Sequence, residues 1–179
     1  MQAAVGIAGI VPVVETERLR LRGHRLDDFD SSLAMWSDPV VVQYTTGKPQ
    51  TREDVWMRML RYGGLWAFLG YGYWVVEEKA TRAFVGEMGF ADFRREIEPS
   101  LDGMPEIGWV LASAMHGKGY ATEAVKAAVA WGDQQFGASK TCCIIHPENT
   151  ASIRVAEKCG YRELTKGAYK DHQVILYTR

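Results

Sequence analysis

The sequence EIGWVLASAMHGKGYATEAVKAAVAWGDQQF, residues 106–136, contains a strand-like run, a glycine turn and an alanine-rich helix in that order. Glu106 to Leu111 predicts a strand, and residues 122–136 repeat apolar side chains at steps of three and four, which is typical of a helix that packs on a sheet. A second buried-strand pattern follows at Thr141 to His146. A strand, a helix and a strand in this order predict a parallel crossover.

The glycine turn is a candidate anion-binding site. Gly117-Lys118-Gly119-Tyr120-Ala121 lies where the helix begins, and the first N–H groups of a helix have no partner within it, so they point together at an anion docked there. Glycine lets that anion approach closely. Lys118 either adds positive charge at this point or is a solvated side chain.

A second motif follows the crossover. His146-Pro147-Glu148-Asn149-Thr150-Ala151-Ser152 leads into a short helix that ends at Gly160-Tyr161. Asn149 is a good N-cap for that helix, and Ser152 lies in its first turn. Neither motif contains a spacing typical of a metal site.

Together the two motifs resemble those of the GCN5-related N-acetyltransferases. That family has an acyl-CoA signature Q/R-x-x-G-x-G/A before one helix, and a P-x-N-x-x-S/A segment before a short helix ending in G-Y/F. Gly119 and Ala121 occupy the last two defined positions of the first motif, whereas His116 departs from its usual first residue. The segments at 15–22 and 37–40 resemble the opening of the branch that contains the ribosomal-protein N-terminal acetyltransferases.

The resemblance implies an α/β (α+β) fold with a mixed, twisted, V-shaped sheet of six to seven strands and helices on both faces. The V would open between the Glu106 strand and the Thr141 strand. The sequence patterns predict strands at 13–22, 71–78, 84–93, 105–111, 141–146, 161–165 and 173–177, and helices at 27–36, 52–61, 122–136 and 150–159. We expect a single domain over residues 1–179, with residues 1–12 as an N-terminal tail.

The resemblance also implies the cosubstrate, acetyl-CoA, and requires no metal. Pantetheine would pair with the parted strands as an extra strand, and the pyrophosphate would lie on the N–H groups of the glycine turn. The implied CoA contacts are Val110, Leu111, His116, Gly117, Lys118, Gly119, Tyr120, Ala121 and Asn149. A backbone N–H near Val110 would also stabilise the oxyanion.

Acetyl transfer needs a neutral amine, so a carboxylate or an ordered water must remove its proton. Glu106 is the first candidate for this base, acting through water, and Glu87 is the second. The alternative for Glu106 is a solvated or salt-bridged carboxylate. The resemblance assigns Ser152 to the departing thiolate, and its alternative role is to satisfy helix N–H groups. For Asn149 we expect both a helix cap and a CoA contact.

Composition narrows the classes of partner. The net charge of −1 and the absence of a lysine/arginine block favour neither nucleic acid nor an anionic membrane, and no run approaches the length needed to cross a bilayer. Metal-site spacing is absent from the three cysteines, Cys142, Cys143 and Cys159, which indicates buried free thiols in a reducing, cytoplasmic environment. We expect a monomer or a homodimer. The aromatic residues of the first half, Trp36, Tyr44, Trp56, Trp66, Tyr73 and Trp74, predict core positions and a few rings that hold an acceptor's cation.

The predicted function is therefore direct acetyl transfer from acetyl-CoA to an amine in a ternary complex, with a protein N-terminal α-amine as the first acceptor. One alternative acceptor is a small amine such as a polyamine, an amino acid or an antibiotic. A second alternative is a non-catalytic acyl-CoA-binding regulatory protein.

Overall fold

The computed structural model describes residues 9–170 and 172–179. Most of the predicted N-terminal tail, residues 1–8, lies outside the described part of the chain. The helices are α1 (Phe29–Trp36), α2 (Pro39–Val42), α3 (Arg52–Leu69), α4 (Tyr120–Phe136) and α5 (Thr150–Lys158). The strands are β1 (Val14–Glu15), β2 (Leu19–Arg22), β3 (Tyr73–Glu78), β4 (Phe84–Ala91), β5 (Glu106–Leu111), β6 (Cys142–Ile145), β7 (Arg162–Tyr169) and β8 (His172–Thr178).

The strands form one sheet in the order β1-β2-β3-β4-β5-β6-β8-β7. Only the β5–β6 pair is parallel, and α4 forms the crossover between these two strands. The sheet has eight strands rather than six to seven, because the predicted strand 13–22 turns back on itself. Thr16 N–H donates to Leu19 O at 2.9 Å, and Val14 then pairs with Leu21 in a short antiparallel hairpin.

Helices cover both faces of the sheet, as neighbouring residues of β4 demonstrate. Glu87 points toward α1, where it contacts Ser32 and Trp36. Met88 points the other way, into the main core that α4 and α5 share with the sheet. Successive side chains of a strand point to opposite faces of the sheet, so Glu87 and Met88 contact the helices on opposite faces. The predicted mixed α/β fold is confirmed.

Helix α3 runs well past its predicted end at Arg61. A capping box at Thr51 and Asp54 starts it, with Thr51 N–H donating to Asp54 at 2.9 Å. Gly63 and Gly64 weaken the local helix signal, but the buried Tyr62 and Trp66 hold this part against the sheet. Tertiary packing thus overrides propensity over residues 62–69.

The three cysteines are buried free thiols, as the sequence predicted. Cys142 and Cys143 point into different apolar clusters on opposite faces of β6. Within residues 9–170 and 172–179, no group of three or more His, Cys, Asp or Glu side chains is arranged to hold a metal ion. No helix in the same ranges has the length and apolar character to cross a membrane.

Gly89→Ala is expected to destabilise the sheet, because a Cβ at residue 89 would lie 2.1 Å from the carbonyl oxygen of Gly72, the residue directly before β3. Overpacking of this kind costs about 1–3 kcal/mol in the free energy of unfolding. Gly64→Ala is the matched control, since a Cβ there meets no atom within 4 Å and alanine suits a helix. Urea denaturation of both variants checks this, and equal stabilities would contradict it.

Candidate active site

The central feature of the site is a split between β5 and β6. The two parallel strands pair at a single position, Glu106 with Cys142, where Cys142 N–H donates to Pro105 O at 3.1 Å. Beyond that pair β5 continues with β4 and β6 continues with β8, without further pairing between β5 and β6. The split predicted between these strands is therefore present.

Alternation along β5 determines which backbone groups face the split. Ala112 N–H donates to Val85 O at 3.0 Å, so the N–H groups of Val110 and Gly108 also point toward β4. Those of Trp109 and Leu111 point toward β6. The Val110 N–H is used by the sheet, so among the backbone N–H groups near Val110, where the oxyanion donor is predicted, those of Trp109 and Leu111 point into the split.

The glycine turn directly precedes α4. Gly117 and Gly119 have φ values of +75° and +81°, which favour glycine, and Gly119 is the N-cap of the helix. Glu123 N–H makes the first helical hydrogen bond, to Gly119 O at 3.1 Å. The N–H groups of Tyr120 and Ala121 therefore precede the helical ladder and remain available to a ligand.

The start of α4 is anchored to the β1–β2 hairpin. Arg18 Nε donates to Glu123 at 2.7 Å, Thr16 Oγ1 donates to it at 2.5 Å, and Arg18 Nη1 donates to Lys118 O at 3.0 Å. Burial opposes ionisation of Glu123, but these hydrogen bonds outweigh it and lower the pKa of Glu123. The ion pair with Arg18 offsets the acidic charge in the first turn, so the helix start still favours an anion.

His116 and Lys118 flank the turn differently. His116 Nε2 lies 2.9 Å from Leu111 O, and the carbonyl can only accept, so this nitrogen carries the proton. The Leu111 carbonyl, at the wide end of the split, therefore accepts a hydrogen bond from His116. Lys118 is exposed, with Nζ 3.5 Å from Met115 Sδ.

At the start of α5, Asn149 and Ser152 have separate roles. Asn149 Oδ1 accepts the Ser152 N–H at 3.1 Å, so Asn149 is the cap that its position predicted. The Ser152 side chain is half-buried, and its hydroxyl has no hydrogen-bond partner among residues 9–170 and 172–179. The hydroxyl is therefore not needed to cap the helix.

Glu106 is a salt-bridged carboxylate. Arg95 holds both of its oxygens, with Nε to Oε2 at 2.6 Å and Nη2 to Oε1 at 2.8 Å. Burial lowers the pKa of Arg95, but the bonds to Glu106 outweigh this and raise it. A cavity of about 10 Å³ next to Glu106 and Arg95 has room for about one water molecule. Each carboxylate oxygen retains a second lone pair that can accept from such a water.

Glu87, the second candidate base, is fully buried and committed to α1. Ser32 Oγ donates to Oε1 at 2.5 Å and Trp36 Nε1 to Oε2 at 2.8 Å, while His24 Nε2 lies 3.5 Å from Oε1. Burial would raise the pKa of Glu87, but these polar contacts lower it overall. A buried carboxylate so bound joins α1 to the sheet and does not reach the split.

Tyr73 extends to β5, one of the two parted strands, although the sequence analysis assigned it no catalytic role. Its hydroxyl lies 2.2 Å from where a Cβ on Gly108 would be, so a larger residue at 108 would displace it. The residue is 7% exposed, and the hydroxyl has no hydrogen-bond partner in the described part of the chain. Burial, Tyr62 and Glu106 raise the pKa of Tyr73 well above its ordinary value. The hydroxyl therefore stays protonated next to the parted strands.

The other aromatic residues lie partly in the main core and partly at the border of the split. Trp66 and Trp74 belong to the main core, where each packs on Trp131 of α4. Tyr44, in the loop after α2, stacks on His146 at the end of β6 with ring centroids 5.3 Å apart. This contact borders the wide end of the split.

Comparison with known proteins identifies the family. The model of the acetyltransferase (GNAT) domain matches residues 18–162. YkkB of Bacillus subtilis (strain 168), described as an uncharacterized protein, is 37% identical over 154 residues, which are 81% of this chain and 82% of YkkB. The uncharacterized N-acetyltransferase p20 of Bacillus licheniformis is 29% identical over 159 residues, 88% of this chain and 85% of p20.

Solved structures share the fold. A GnaT-family acetyltransferase from Bordetella pertussis is 29% identical with a TM-score of 0.83, covering 94% of this chain and 99% of that one. RimL, a ribosomal L7/L12 α-N-protein acetyltransferase solved with coenzyme A, is 16% identical with a TM-score of 0.75, covering 94% and 97%. Spermidine N-acetyltransferase from Vibrio cholerae, solved with CoA and spermine, is 16% identical with a TM-score of 0.71, covering 92% and 96%. The strand split, the glycine turn and the family match together establish that this chain belongs to the acetyltransferase (GNAT) family and is an N-acetyltransferase.

Proposed function

We propose that this N-acetyltransferase takes its acetyl group from acetyl-CoA and transfers it directly to a primary amine, with a protein N-terminal α-amine as the first candidate. The observation that carries the proposal is the position of the glycine turn next to the strand split. The turn offers N–H groups to a diphosphate, and the split offers N–H and C=O groups to an extended amide chain. CoA contains both parts in one molecule.

The residues present fit CoA. The N–H groups of Tyr120 and Ala121 would bind the pyrophosphate at the amino end of α4, with Lys118 close by. Trp109 and Leu111 would pair with pantetheine as an added strand. RimL and the spermidine enzyme, which share the fold, were both solved with CoA, and this supports the same use of the split here.

The chain's own side chains surround the reacting groups from two directions. Glu106 would take the proton of the amine through a water in the neighbouring cavity, with Arg95 holding the carboxylate in place. Ser152, whose hydroxyl has no partner in the described ranges, would hydrogen-bond the departing thiolate. The Tyr73 hydroxyl, protonated and without a described partner, would orient the amine or that water above Gly108.

A small-molecule amine is the second candidate acceptor. The specific observation in its favour is that a spermidine N-acetyltransferase shares this fold at a TM-score close to that of RimL. Relative turnover of N-terminal peptides and free amines, followed by release of CoA thiol, distinguishes the two candidates.

Gly119→Glu is expected to abolish CoA binding measured by calorimetry, because it places a side chain and a like charge where the diphosphate would approach. Gly119→Ala is the control for backbone strain, since its positive φ is unfavourable to any side chain. The alanine variant should retain more CoA affinity than the glutamate variant. Normal CoA binding by Gly119→Glu would remove the turn from the site.

Ser152→Ala is expected to lower turnover while CoA affinity and stability stay at wild-type values, because the hydroxyl makes no described protein contact. Asn149→Ala is the contrasting variant and should lose about 0.5–2 kcal/mol of stability with the helix cap. Steady-state kinetics and thermal unfolding separate the two effects. Wild-type turnover in Ser152→Ala would mean that the hydroxyl does not act on the thiolate.

Glu106→Gln is expected to lower turnover on the order of 100-fold near neutral pH, where the amine is charged, and less as pH rises toward the amine's pKa. The defect should fade near pH 8 for an N-terminal α-amine and near about 10.4 for a lysine-like amine. Loss of the Arg95 partner reduces stability at every pH, so the shape of the pH profile is the readout. A defect of constant size would exclude Glu106 as the base.

A further inference from the structure

The aromatic rings near the active site already hold the protein's own guanidinium groups. Arg58 lies 3.7 Å from the centroid of the Trp36 ring. Arg95 lies 4.6 Å from the Phe93 ring and 4.7 Å from the Tyr169 ring, and Arg61 lies 5.5 Å from Phe93. We call Arg58, Arg61 and Arg95 with Phe93 and Tyr169 the arginine rim. Among the rings that were expected to hold an acceptor's cation, Trp36 is therefore covered by Arg58.

Three carboxylates, those of Glu106, Glu87 and Asp38, are also bound by the protein's own groups. Both oxygens of Glu106 are held by Arg95, and both oxygens of Glu87 are held by α1 side chains. Asp38 accepts from Val40 N–H at 2.9 Å and from Ser113 Oγ at 2.5 Å. A polycationic acceptor would find few carboxylate oxygens here that lack a partner.

Two arginines of the rim have no carboxylate partner in the described part of the chain. Arg58 and Arg61 line a cleft of about 380 Å³ on α3, together with Gln50, Asp54 and Met57. Asp54 Oδ2 is used in the helix cap, and the charges of Lys48 and Arg58 both act on this one carboxylate, which forms no salt bridge with either arginine. The cleft thus carries net positive charge. Arg58 Nε is buried and has no hydrogen-bond partner among residues 9–170 and 172–179, an arrangement that is costly unless a ligand supplies the acceptor.

This cleft is connected to the reacting centre by a pair of stacked rings. Tyr62 stacks on Tyr73 with centroids 4.4 Å apart, and the Tyr73 hydroxyl lies against Gly108 at the split. Arg58 is close enough for its charge to act on both tyrosines. The positive charge of Arg58 therefore acts close to Gly108, where the amine of the acceptor would lie.

We infer that the acceptor is a primary amine that also carries a carboxylate, and that Arg58 and Arg61 bind this carboxylate in the α3 cleft. A guanidinium fork matches a carboxylate with two parallel hydrogen bonds, which a neutral or cationic acceptor cannot supply. The inference rests on the proposed function and narrows its acceptor class. The carboxylate belongs either to an acidic side chain in an N-terminal peptide or to a free amino acid, and both sources have the same chemistry at Arg58.

The test compares acceptors that differ only in charge. The probes are the amidated peptides Ala-Glu-Ala, Ala-Gln-Ala and Ala-Lys-Ala, then alanine against alaninamide, and spermidine. We expect kcat/KM for the acidic member of one matched pair to exceed that of its neutral member about tenfold or more, through KM. The peptide pair and the amino-acid pair distinguish the two sources. Equal values in both pairs, or a preference for Ala-Lys-Ala or spermidine, would overturn the inference.

Variants locate the effect. Arg58→Met keeps an apolar contact with Trp36 and removes the charge, so the ratio of kcat/KM for Ala-Glu-Ala amide to that for Ala-Gln-Ala amide should fall to about one. Arg52→Met, on the exposed start of the same helix, is the matched control and should leave the preference intact. If Arg58→Met keeps the full preference, the carboxylate does not bind in this cleft.

A binding measurement separates this inference from the proposed function. The NMR resonance of Arg58 Nε–H is expected to shift on addition of Ala-Glu-Ala amide without CoA, and much less with Ala-Gln-Ala amide. Absence of thiol release from acetyl-CoA with every amine would contradict the proposed function, yet a selective shift would still support the anion site. The same small response to both peptides would overturn the anion site whatever the activity.

Discussion

The parting of β5 and β6 after one backbone pair is the constraint on which the rest of the site depends. If β5 and β6 remained paired along their whole length, the N–H groups of Trp109 and Leu111, which point toward β6, would form hydrogen bonds within the sheet. Leaving a buried polar group without a partner costs about 1–3 kcal/mol, so an open split favours any ligand that can pair as a strand. The same geometry brings the amino ends of α4 and α5 to its border, because each helix belongs to a connection that leaves one of the parted strands.

Two carboxylates near the split, at the start of α4 and at the start of β5, each form a salt bridge with an arginine of the same chain. Arg18 offsets Glu123 at the start of α4, and Arg95 holds Glu106 at the start of β5. Both pairs hold a carboxylate close to a proposed substrate position and supply it with a cationic partner. The arginines of the α3 cleft are different, because no described carboxylate pairs with them. An acceptor would therefore meet carboxylates that already have arginine partners and arginines that have no described carboxylate partner, whatever the total charge of the chain.

Much of the fold and the geometry of the glycine turn and the α5 cap could be predicted from local sequence, because they depend on local rules. Gly119 must adopt a positive φ before α4, Asn149 must cap α5, and the run 106–111 must be a strand between apolar layers. The hairpin turn at Thr16 was missed because residues 15–18 contain neither glycine nor proline, the usual signals of a turn. The second half of α3 was missed because its stability comes from Tyr62 and Trp66 in the core.

Apart from Glu106, the proposed acceptor half could not be predicted, because its residues come together only through long-range packing. Arg95 reaches Glu106 from a loop whose sequence carries no motif, and Tyr73 reaches Gly108 from two strands away in the sheet. The sequence pattern of a glutamate at the start of a strand is the same whether its carboxylate is solvated or bound by an arginine. The glycine at 108 was one available signal, since a glycine inside a strand often marks a close approach.

The central claim is that the split binds CoA as an added strand, and residue-resolved amide hydrogen exchange tests it most directly. With CoA at 100 times its dissociation constant, the Trp109 and Leu111 N–H groups should exchange on the order of 100-fold more slowly. Gly108 and Val110, whose N–H groups point toward β4, should change little. Slower exchange at Tyr120 and Ala121 with no change at Trp109 and Leu111 would contradict the claim, because CoA would then bind the turn without entering the split.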